Sequence, residues 1–260
     1  MHTERLEIFS SGGVGDSLIV GLKIQEATKS NSPAHIVWRH FEKHECNADP
    51  CLAIQTKFAT QAECLIFDKP EQCAKEMCHD IAGTYITTTS SDILNPYLDK
   101  PIHGEGFFLS PLMGEKNYIV VQAQAGRMHD NTRREVDISV MNQLLQLFPN
   151  KRLVILGPEE QSFETIDTSR TINLTGKTGS IIDVFEIIND CSLFVGQDGV
   201  MAYYALMRKK CAIVAFHINT LPQHYWNGRW ETHSVALLGA GNMLQQLPQL
   251  NSIEQLLRGV

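Results

Sequence analysis

The sequence predicts an α/β fold with two Rossmann-like domains, each built on a parallel sheet. The first observation is that short apolar runs alternate with amphipathic stretches along most of the chain. The second is that several of these runs are continuous, as in strands covered on both faces. The third is that prolines and glycines interrupt the rhythm at 99–116. We therefore expect domains at 1–110 and 111–260, facing each other across a cleft.

The predicted strands are short runs rich in β-branched and aromatic residues, bounded by turn residues. They lie at 5–10, 34–38, 63–68, 84–89, 117–123, 151–157, 170–176, 192–197, 211–216 and 234–239. Between them, the stretches 17–28, 137–148 and 180–191 carry apolar residues at helical spacing. In the last of these, Ser180 and Asp183 form a capping box, which predicts that the helix begins there.

Composition narrows the class of protein. With 260 residues, 43% hydrophobic and 20% charged, the chain is typical of a soluble globular protein. A net charge of −7 argues against nonspecific binding to nucleic acid, and no apolar run is long enough to span a bilayer. The polar start predicts no signal peptide, so we expect a cytoplasmic protein.

The seven cysteines predict neither a disulfide framework nor a metal site. Their number is odd, and Cys64, Cys191 and Cys211 lie in or beside apolar runs, where a thiol packs as a small hydrophobe. The stretch "HFEKHECNADPC" at 40–51 lacks the paired spacing of a structural zinc site. We therefore expect reduced thiols and no bound metal.

The stretch "GGVGDSLIV" at 12–20 joins the first strand to a helix. Gly12, Gly13 and Gly15 would let a ligand approach the backbone closely, next to the carboxylate of Asp16. No lysine follows as in a Walker loop. The alternative is that Asp16 caps the helix, and residues 8–20 alone do not decide between the two interpretations.

Two segments of the second half lead from a strand into a helix, on the side of a parallel sheet where ligands bind. The first, "LTGKTGS" at 174–180, contains Lys177 and Thr178, although a solvated turn lysine is equally consistent with it. In the second, a buried strand ends in a turn at Asp198 and Gly199, and the amides of the following helix could hold a diphosphate. An ordinary crossover connection is the alternative there.

The segment 123–137 follows the first strand of the second half. It contains Arg127, Arg133 and Arg134, and guanidinium groups suit phosphate recognition. A solvated charged loop is the alternative, and the sequence does not rank the three arginines.

Together these segments resemble the heptosyltransferase-like glycosyltransferases of family nine, which include the ADP-heptose:lipopolysaccharide heptosyltransferases. "INLTGKTGSIIDVFEIINDCSLFVGQDG" is similar to the family's loop, amphipathic helix and strand ending in a Gly-(Asn/Gln)-Asp turn. "GGVGDSLIV" is similar to its N-terminal glycine-aspartate turn. The resemblance extends over about 150–216 and is local at 8–20.

The resemblance implies a GT-B architecture and an inverting sugar transfer with no obligatory metal and no further cofactor. A nucleotide-sugar donor would bind the C-terminal half, and a glycan or glycolipid acceptor would face the N-terminal half, as in lipopolysaccharide biosynthesis. Asp16 matches the general base, with Gly12, Gly13, Gly15 and Ser17 on the acceptor side. Around the donor we expect Lys177, Thr178, Asp198, Gly199, Tyr203, Arg127, Arg133 and Arg134.

Two departures from the family pattern favour the first of two alternative functions. Tyr203 stands where the family has a histidine, and Gln122–Gln124 replaces its His-Pro-Gly. A phenol does not titrate near neutral pH as an imidazole does. One alternative is therefore a nucleotide-binding protein of the same fold that has lost catalysis. Another is a nicotinamide-dependent oxidoreductase.

Overall fold

The chain forms two compact units in a computed structural model. The first comprises Met1–Phe107 with Gln223–Asn227, and the second comprises Phe108–Pro222 with Gly228–Val260. The predicted linker at 99–116 and the predicted boundary at 110 lie outside the described residues. The structure describes residues 6–11, 13–15, 17–18, 20–21, 24, 36–41, 48–59, 62–67, 79–81, 84–88, 118–125, 134–197, 199–208, 210–217, 234–239 and 243–244.

The first unit contains a mixed five-stranded sheet with the strand order β3-β2-β1-β5-β4. Strands β1, β2 and β3 are parallel, whereas β5 is antiparallel to both β1 and β4. A helix, α1, follows β1 and is described at 14–15, 17–18, 20–21 and 24. The other elements are β1 (Leu6–Ser11), β2 (Ile36–Phe41), α2 (Ala48–Phe58), β3 (Ala62–Phe67), β4 (His79–Ile81) and β5 (Thr84–Thr88).

The antiparallel pair departs from the prediction of a wholly parallel sheet. Strand β4 ends at Ile81 and β5 begins at Thr84. A connection of two residues can join antiparallel strands only, because a parallel pair needs a crossover of a dozen residues or more. The run at 84–89 was correctly predicted as a strand, but its partner β4 was not predicted.

The second unit contains a six-stranded, wholly parallel sheet with the order β10-β9-β6-β11-β12-β13. Numbered along the chain, this is the order 3-2-1-4-5-6 of dinucleotide-binding folds. A separate three-stranded sheet has the strand order β14-β8-β7. The elements are β6 (Tyr118–Gln122), β7 (Gln124–Ala125), β8 (Arg134–Val136), α3 (Ile138–Leu147), β9 (Arg152–Leu156), β10 (Thr171–Asn173), α4 (Ile181–Asp190), β11 (Leu193–Gln197), α5 (Val200–Met207), β12 (Ala212–His217), β13 (Ser234–Gly239) and β14 (Met243–Leu244).

Helices cover both faces of the six-stranded sheet. Helix α3 packs on the face that presents alternate strand residues such as Val121, Ile155 and Val195. The intervening residues point the other way, toward α4, and the Tyr118 hydroxyl donates a hydrogen bond to the Ile187 carbonyl there at 2.8 Å. Burial on both faces explains why these strands read as continuous apolar runs.

Side chains satisfy the polar groups at the helix ends. Ser180 Oγ accepts a hydrogen bond from the Asp183 amide at 3.2 Å, which confirms the predicted start of α4. At the C-terminal end of α3, the Arg170 guanidinium donates to the carbonyls of Leu145, Phe148 and Lys151 at 2.7–3.0 Å. A cation at this end of a helix also opposes the helix dipole.

Candidate nucleotide site at the carboxyl edge of the parallel sheet

The strand order places a topological switch point between β6 and β11. From β6 the chain proceeds to β9 and β10 on one side of the sheet, and the later strands lie on the other side. In open α/β sheets, ligands bind in the crevice outside the carboxyl ends of the strands at such a point. The carboxyl ends of β6 and β11 are Gln122 and Gln197.

Gln122 fills the space beneath the turn that connects β11 to α5. A Cβ added to Gly196 would lie 2.7 Å from Gln122 Oε1, and one added to Gly199 would lie 3.6 Å from Gln122 Nε2. The residue is 2% exposed, yet Oε1 has no hydrogen-bond partner among the described residues. A larger side chain at position 196 would therefore displace this buried amide.

Gln197 is the second buried amide at the switch point. It is 3% exposed, and its Nε2 has no hydrogen-bond partner within the described part of the chain. Because side chains alternate along a strand, Gln197 points to the face opposite to that of Gly196 and Gln122. Neither glutamine is recognisable as a site residue from the sequence, since polar residues at a strand end also fit an ordinary turn.

Two loops at the same edge pack closely against each other. Gly176 has φ +67°, and a Cβ there would lie 2.6 Å from the Glu160 backbone nitrogen, so only glycine fits. The Gly176 amide donates a hydrogen bond to the Gly157 carbonyl at 2.9 Å. This contact joins the loop after β10 to the loop after β9.

A hydrogen-bonded turn ends β10 earlier than predicted. Asn173 Oδ1 accepts a hydrogen bond from the Thr175 amide at 3.1 Å and one from the Thr175 hydroxyl at 2.8 Å. Thr175 Oγ1 in turn accepts from the Gln161 amide at 3.0 Å. The strand therefore stops at Asn173 rather than 176, and the residues up to Ser180 form a loop at the carboxyl edge.

Lys177 lies in this loop and forms an exposed ion pair. Its Nζ is 3.1 Å from Glu160 Oε1. Because exposed ion pairs contribute about 0–1 kcal/mol, an anionic ligand could displace Glu160 at little cost. The predicted neighbour Thr178 is half-buried in the same loop.

The remaining predicted donor residues are only partly described. Gly199 precedes α5, and its carbonyl accepts a hydrogen bond from the Tyr203 amide at 2.9 Å. Tyr203 is 6% exposed, so its side chain is largely buried. Arg134 lies in β8, but its side chain is outside the described residues, as are Arg127, Arg133 and Asp198.

The predicted acceptor-side turn belongs to the first unit. Gly13 and Gly15 are half-buried, and the Gly13 carbonyl accepts a hydrogen bond from the Ser17 amide at 3.1 Å. Helix α1 already includes Val14 and Gly15, so the helix begins earlier than the predicted residue 17. Gly12 and Asp16 lie outside the described residues, and the catalytic role of Asp16 stays a prediction.

Three buried groups with shifted pKa values, Cys191, Lys210 and Cys211, lie at the opposite, amino edge of the second sheet. Burial raises the pKa of the Cys191 thiol to about 12 and that of Cys211 to about 11. Burial also lowers the pKa of Lys210, whose Nζ donates to the Asn189 carbonyl at the end of α4 at 2.7 Å. These three groups therefore affect the stability of the fold. They do not supply an acid or a base to the carboxyl edge.

The two thiols should make the protein less stable in alkaline solution. In the unfolded chain they ionise near pH 9, whereas in the folded protein they remain protonated until about pH 11–12. The unfolded state then binds fewer protons, so the free energy of unfolding should fall by about 1 kcal/mol per thiol between pH 9 and pH 10. Lys210 contributes the opposite slope, because the folded state loses that proton first.

Urea unfolding at several pH values would measure this slope. The double variant Cys191→Ala/Cys211→Ala serves as the comparison, because it removes both thiols and retains Lys210. The variant will be less stable at every pH, so the slope is the informative quantity. Equal slopes for the two proteins would contradict the assignment to the thiols.

Comparison with solved structures identifies the fold. E. coli heptosyltransferase WaaC with ADP superposes with a TM-score of 0.55 and 14% identity over 98% of this chain and 99% of that chain. E. coli ADP-heptose LPS heptosyltransferase II superposes with a TM-score of 0.54 and 12% identity over 96% of each chain. The dodecameric iron-containing heptosyltransferase TibC, in complex with ADP-D-beta-D-heptose, gives 0.51 and 13% over 90% of this chain and 62% of that chain.

These similarities confirm the predicted resemblance at the level of the fold. No protein-family model and no curated protein sequence matches the chain. No described helix is both long enough and apolar enough to cross a membrane. The identities of 12–14% concern the fold alone, and the arrangement of the two units around a cleft stays a prediction.

Proposed function

We propose that this chain, which has the fold of bacterial heptosyltransferases, is a glycosyltransferase. It would move a sugar from a nucleotide-sugar donor to a glycan or glycolipid acceptor, with inversion and without an obligatory metal. The observation that carries this proposal is the switch point of the six-stranded sheet, where loops with exposed and buried polar groups meet at one edge.

The donor half of the proposal rests on the described carboxyl edge. Lys177 can exchange Glu160 for a phosphate oxygen, and the α5 amides that begin beyond Gly199 can hold a second one. Gln122, buried beneath the turn between β11 and α5, would support the backbone that holds the donor. Arg127, Arg133 and Arg134 are the candidate further cations.

The acceptor half rests on sequence and resemblance. Asp16 would take the proton from the acceptor hydroxyl as that oxygen attacks the anomeric carbon, and the diphosphate would leave from the opposite face of the sugar. Amides and cationic side chains would stabilise the charge that develops on the departing diphosphate. Gly12, Gly13 and Gly15 would shape the acceptor side of the site, and Ser17, whose side chain is buried, would contribute through its backbone.

Two alternatives remain distinct from this proposal. The burial of Tyr203 favours a nucleotide-binding protein without catalysis, because a buried phenol is not free to replace the family's histidine. The 3-2-1-4-5-6 strand order also suits a nicotinamide cofactor. However, "QAQAGR" after β6 lacks the glycine fingerprint of dinucleotide-binding proteins.

A thermal-shift screen with nucleoside diphosphates, their sugars and nicotinamide dinucleotides tests the proposal. A nucleotide sugar at 100 times its dissociation constant should stabilise the protein by about 2.7 kcal/mol and raise Tm by several degrees. A rise with nicotinamide dinucleotides alone would favour the oxidoreductase, and no rise with any nucleotide would contradict the proposed donor site.

Variants of two lysines test whether the nucleotide-dependent rise in Tm comes from binding at the carboxyl edge. Lys177→Met should reduce the nucleotide-dependent rise in Tm, because it removes the cation at the carboxyl edge. Lys151→Met is the matched control, since Lys151 directly precedes β9 and so lies at the amino edge of the same sheet. Equal reductions in both variants would show that the effect of Lys177 is not local.

A further inference from the structure

Three polar side chains are fully buried in the first unit. Ser17 on α1, His40 on β2 and Gln55 on α2 are each 0% exposed. Among the described residues, Ser17 Oγ and both polar atoms of the Gln55 amide have no hydrogen-bond partner. Burying such atoms without partners costs free energy, and proteins normally avoid it.

The packing around Gly21 shows that the helices carrying Ser17 and Gln55 touch each other. A Cβ at Gly21 would lie 3.4 Å from Phe58 Cβ, so α1 and α2 touch at this level. The two helices run in the same direction, because each connects neighbouring parallel strands in the order β1, β2, β3. Ser17 precedes Gly21 by one turn and Gln55 precedes Phe58 by one turn, so both lie on the same side of the contact.

His40 lies at the same level on the sheet. The Cβ position of Gly21 is also 3.4 Å from the Trp38 ring, which therefore faces the helices. His40 follows Trp38 by two residues and points to the same face, and the two ring centroids are 6.1 Å apart. The helices run antiparallel to the strands. A position one turn earlier in α1 or α2 is therefore level with a position about two residues later in β2, which for Trp38 is His40.

We propose that Ser17 and Gln55, beside His40, form a buried binding site for ordered water. A buried water needs two to four polar partners, and this pair supplies a hydroxyl, an amide carbonyl and an amide NH2. Such a water satisfies the atoms that the protein itself leaves without partners. It also links the first turn of α1 to α2, and it does so without a direct contact between the two side chains.

The site has a consequence for the glycine turn. Ser17 directly follows Asp16, and its amide donates to the Gly13 carbonyl. A water-mediated link at Ser17 therefore fixes the first turn of α1. This consequence rests on the proposed function: if Asp16 is the general base, Gln55 is a positioning residue that acts on it through α1.

Urea unfolding of Gln55→Met and Ser17→Ala tests the site. Methionine has nearly the shape of glutamine but no polar group, so it removes the partner of the water. Each single variant should lower the folding equilibrium constant at least fivefold, and the double variant should lose less than the product of the two losses. Gln146→Met, at an exposed position of α3, is the matched control and should change the constant less than twofold.

A folding equilibrium constant that is unchanged or higher in Gln55→Met would overturn the proposal. In a dry site, Gln55→Met relieves an unsatisfied amide, so the variant would be as stable as the native protein or more stable. Additive losses would also overturn it, because they show that Ser17 and Gln55 share no partner. A crystal structure without a density peak within hydrogen-bond distance of Ser17 Oγ and the Gln55 amide would have the same effect.

Hydrogen exchange measures the link to α1 without requiring activity. In Gln55→Met, amides at 13–21 should exchange at least tenfold faster, whereas those of α4 should be unchanged. Unchanged exchange at 13–21 would overturn the link even if transferase activity fell. Faster exchange in a protein without any transferase activity would support the water site and contradict only the proposed function.

Discussion

Replacement of Asp16 by asparagine is expected to reduce sugar transfer by about 10²–10⁴-fold in kcat, the contribution typical of a general base. Asparagine retains the shape and much of the hydrogen bonding of aspartate but cannot accept the acceptor's proton. The nucleotide-dependent rise in Tm should be retained, because the described donor residues belong to the second unit. Turnover with a nucleotide-sugar donor and thermal shift would measure the two effects separately.

Asp49→Asn is the matched control for this variant. Asp49 is an exposed aspartate near the start of α2 in the same unit, so its replacement removes one carboxylate of the first unit at a distance from the glycine turn in sequence. It should leave kcat unchanged. If Asp16→Asn retains its turnover and loses only stability, the role of Asp16 is to cap the helix. The assignment as a general base then fails.

The central strands of the second sheet were predictable because nearly all of their residues are buried. β11 is buried at all five positions, and such runs need no knowledge of their neighbours to be recognised. The start of α4 was predictable for a similar reason, since the Ser180 cap is a local interaction. Features determined within a few residues of the chain were therefore accessible from the sequence.

Features that depend on pairing across the chain were not accessible. The ion pair of Lys177 with Glu160 depends on how two loops pack, and the cap of α3 depends on Arg170 reaching back across the unit. β4 is only three residues long and was not recognised as a strand. In each case the local sequence fits several conformations, and tertiary contacts select one.

The two glutamines at the switch point show a related limit. In the sequence, Gln122 stands out only as a departure from a family pattern, and Gln197 only as the residue before the turn at Asp198 and Gly199. Their burial follows from the glycines beside them and from the sheet register, neither of which is visible locally. The burial of Tyr203 is not visible in the sequence either. Helix α5 is apolar on all sides, so its sequence does not indicate which side faces a ligand.

Phe185→Ala is expected to cause the largest loss of stability, about 3–5 kcal/mol, with a fall in Tm of roughly 10 °C. Phe185 is fully buried on α4, and its ring stacks on Tyr204 of α5 at a centroid distance of 4.0 Å and an angle of 7°. The substitution removes this stacking and leaves a cavity between the two helices. Thermal and urea unfolding would measure the loss.

Phe163→Ala is the matched control, because Phe163 is only partly buried against the same sheet and should lose less than half as much. A smaller loss for Phe185→Ala than for Phe163→Ala would contradict the packing described between α4 and α5.

The loss of packing at Phe185 should also affect the candidate site, since α4 and α5 both begin at the carboxyl edge of the sheet. Phe185→Ala should therefore also weaken the nucleotide-dependent rise in Tm, although Phe185 itself lies one helical turn away from the start of α4.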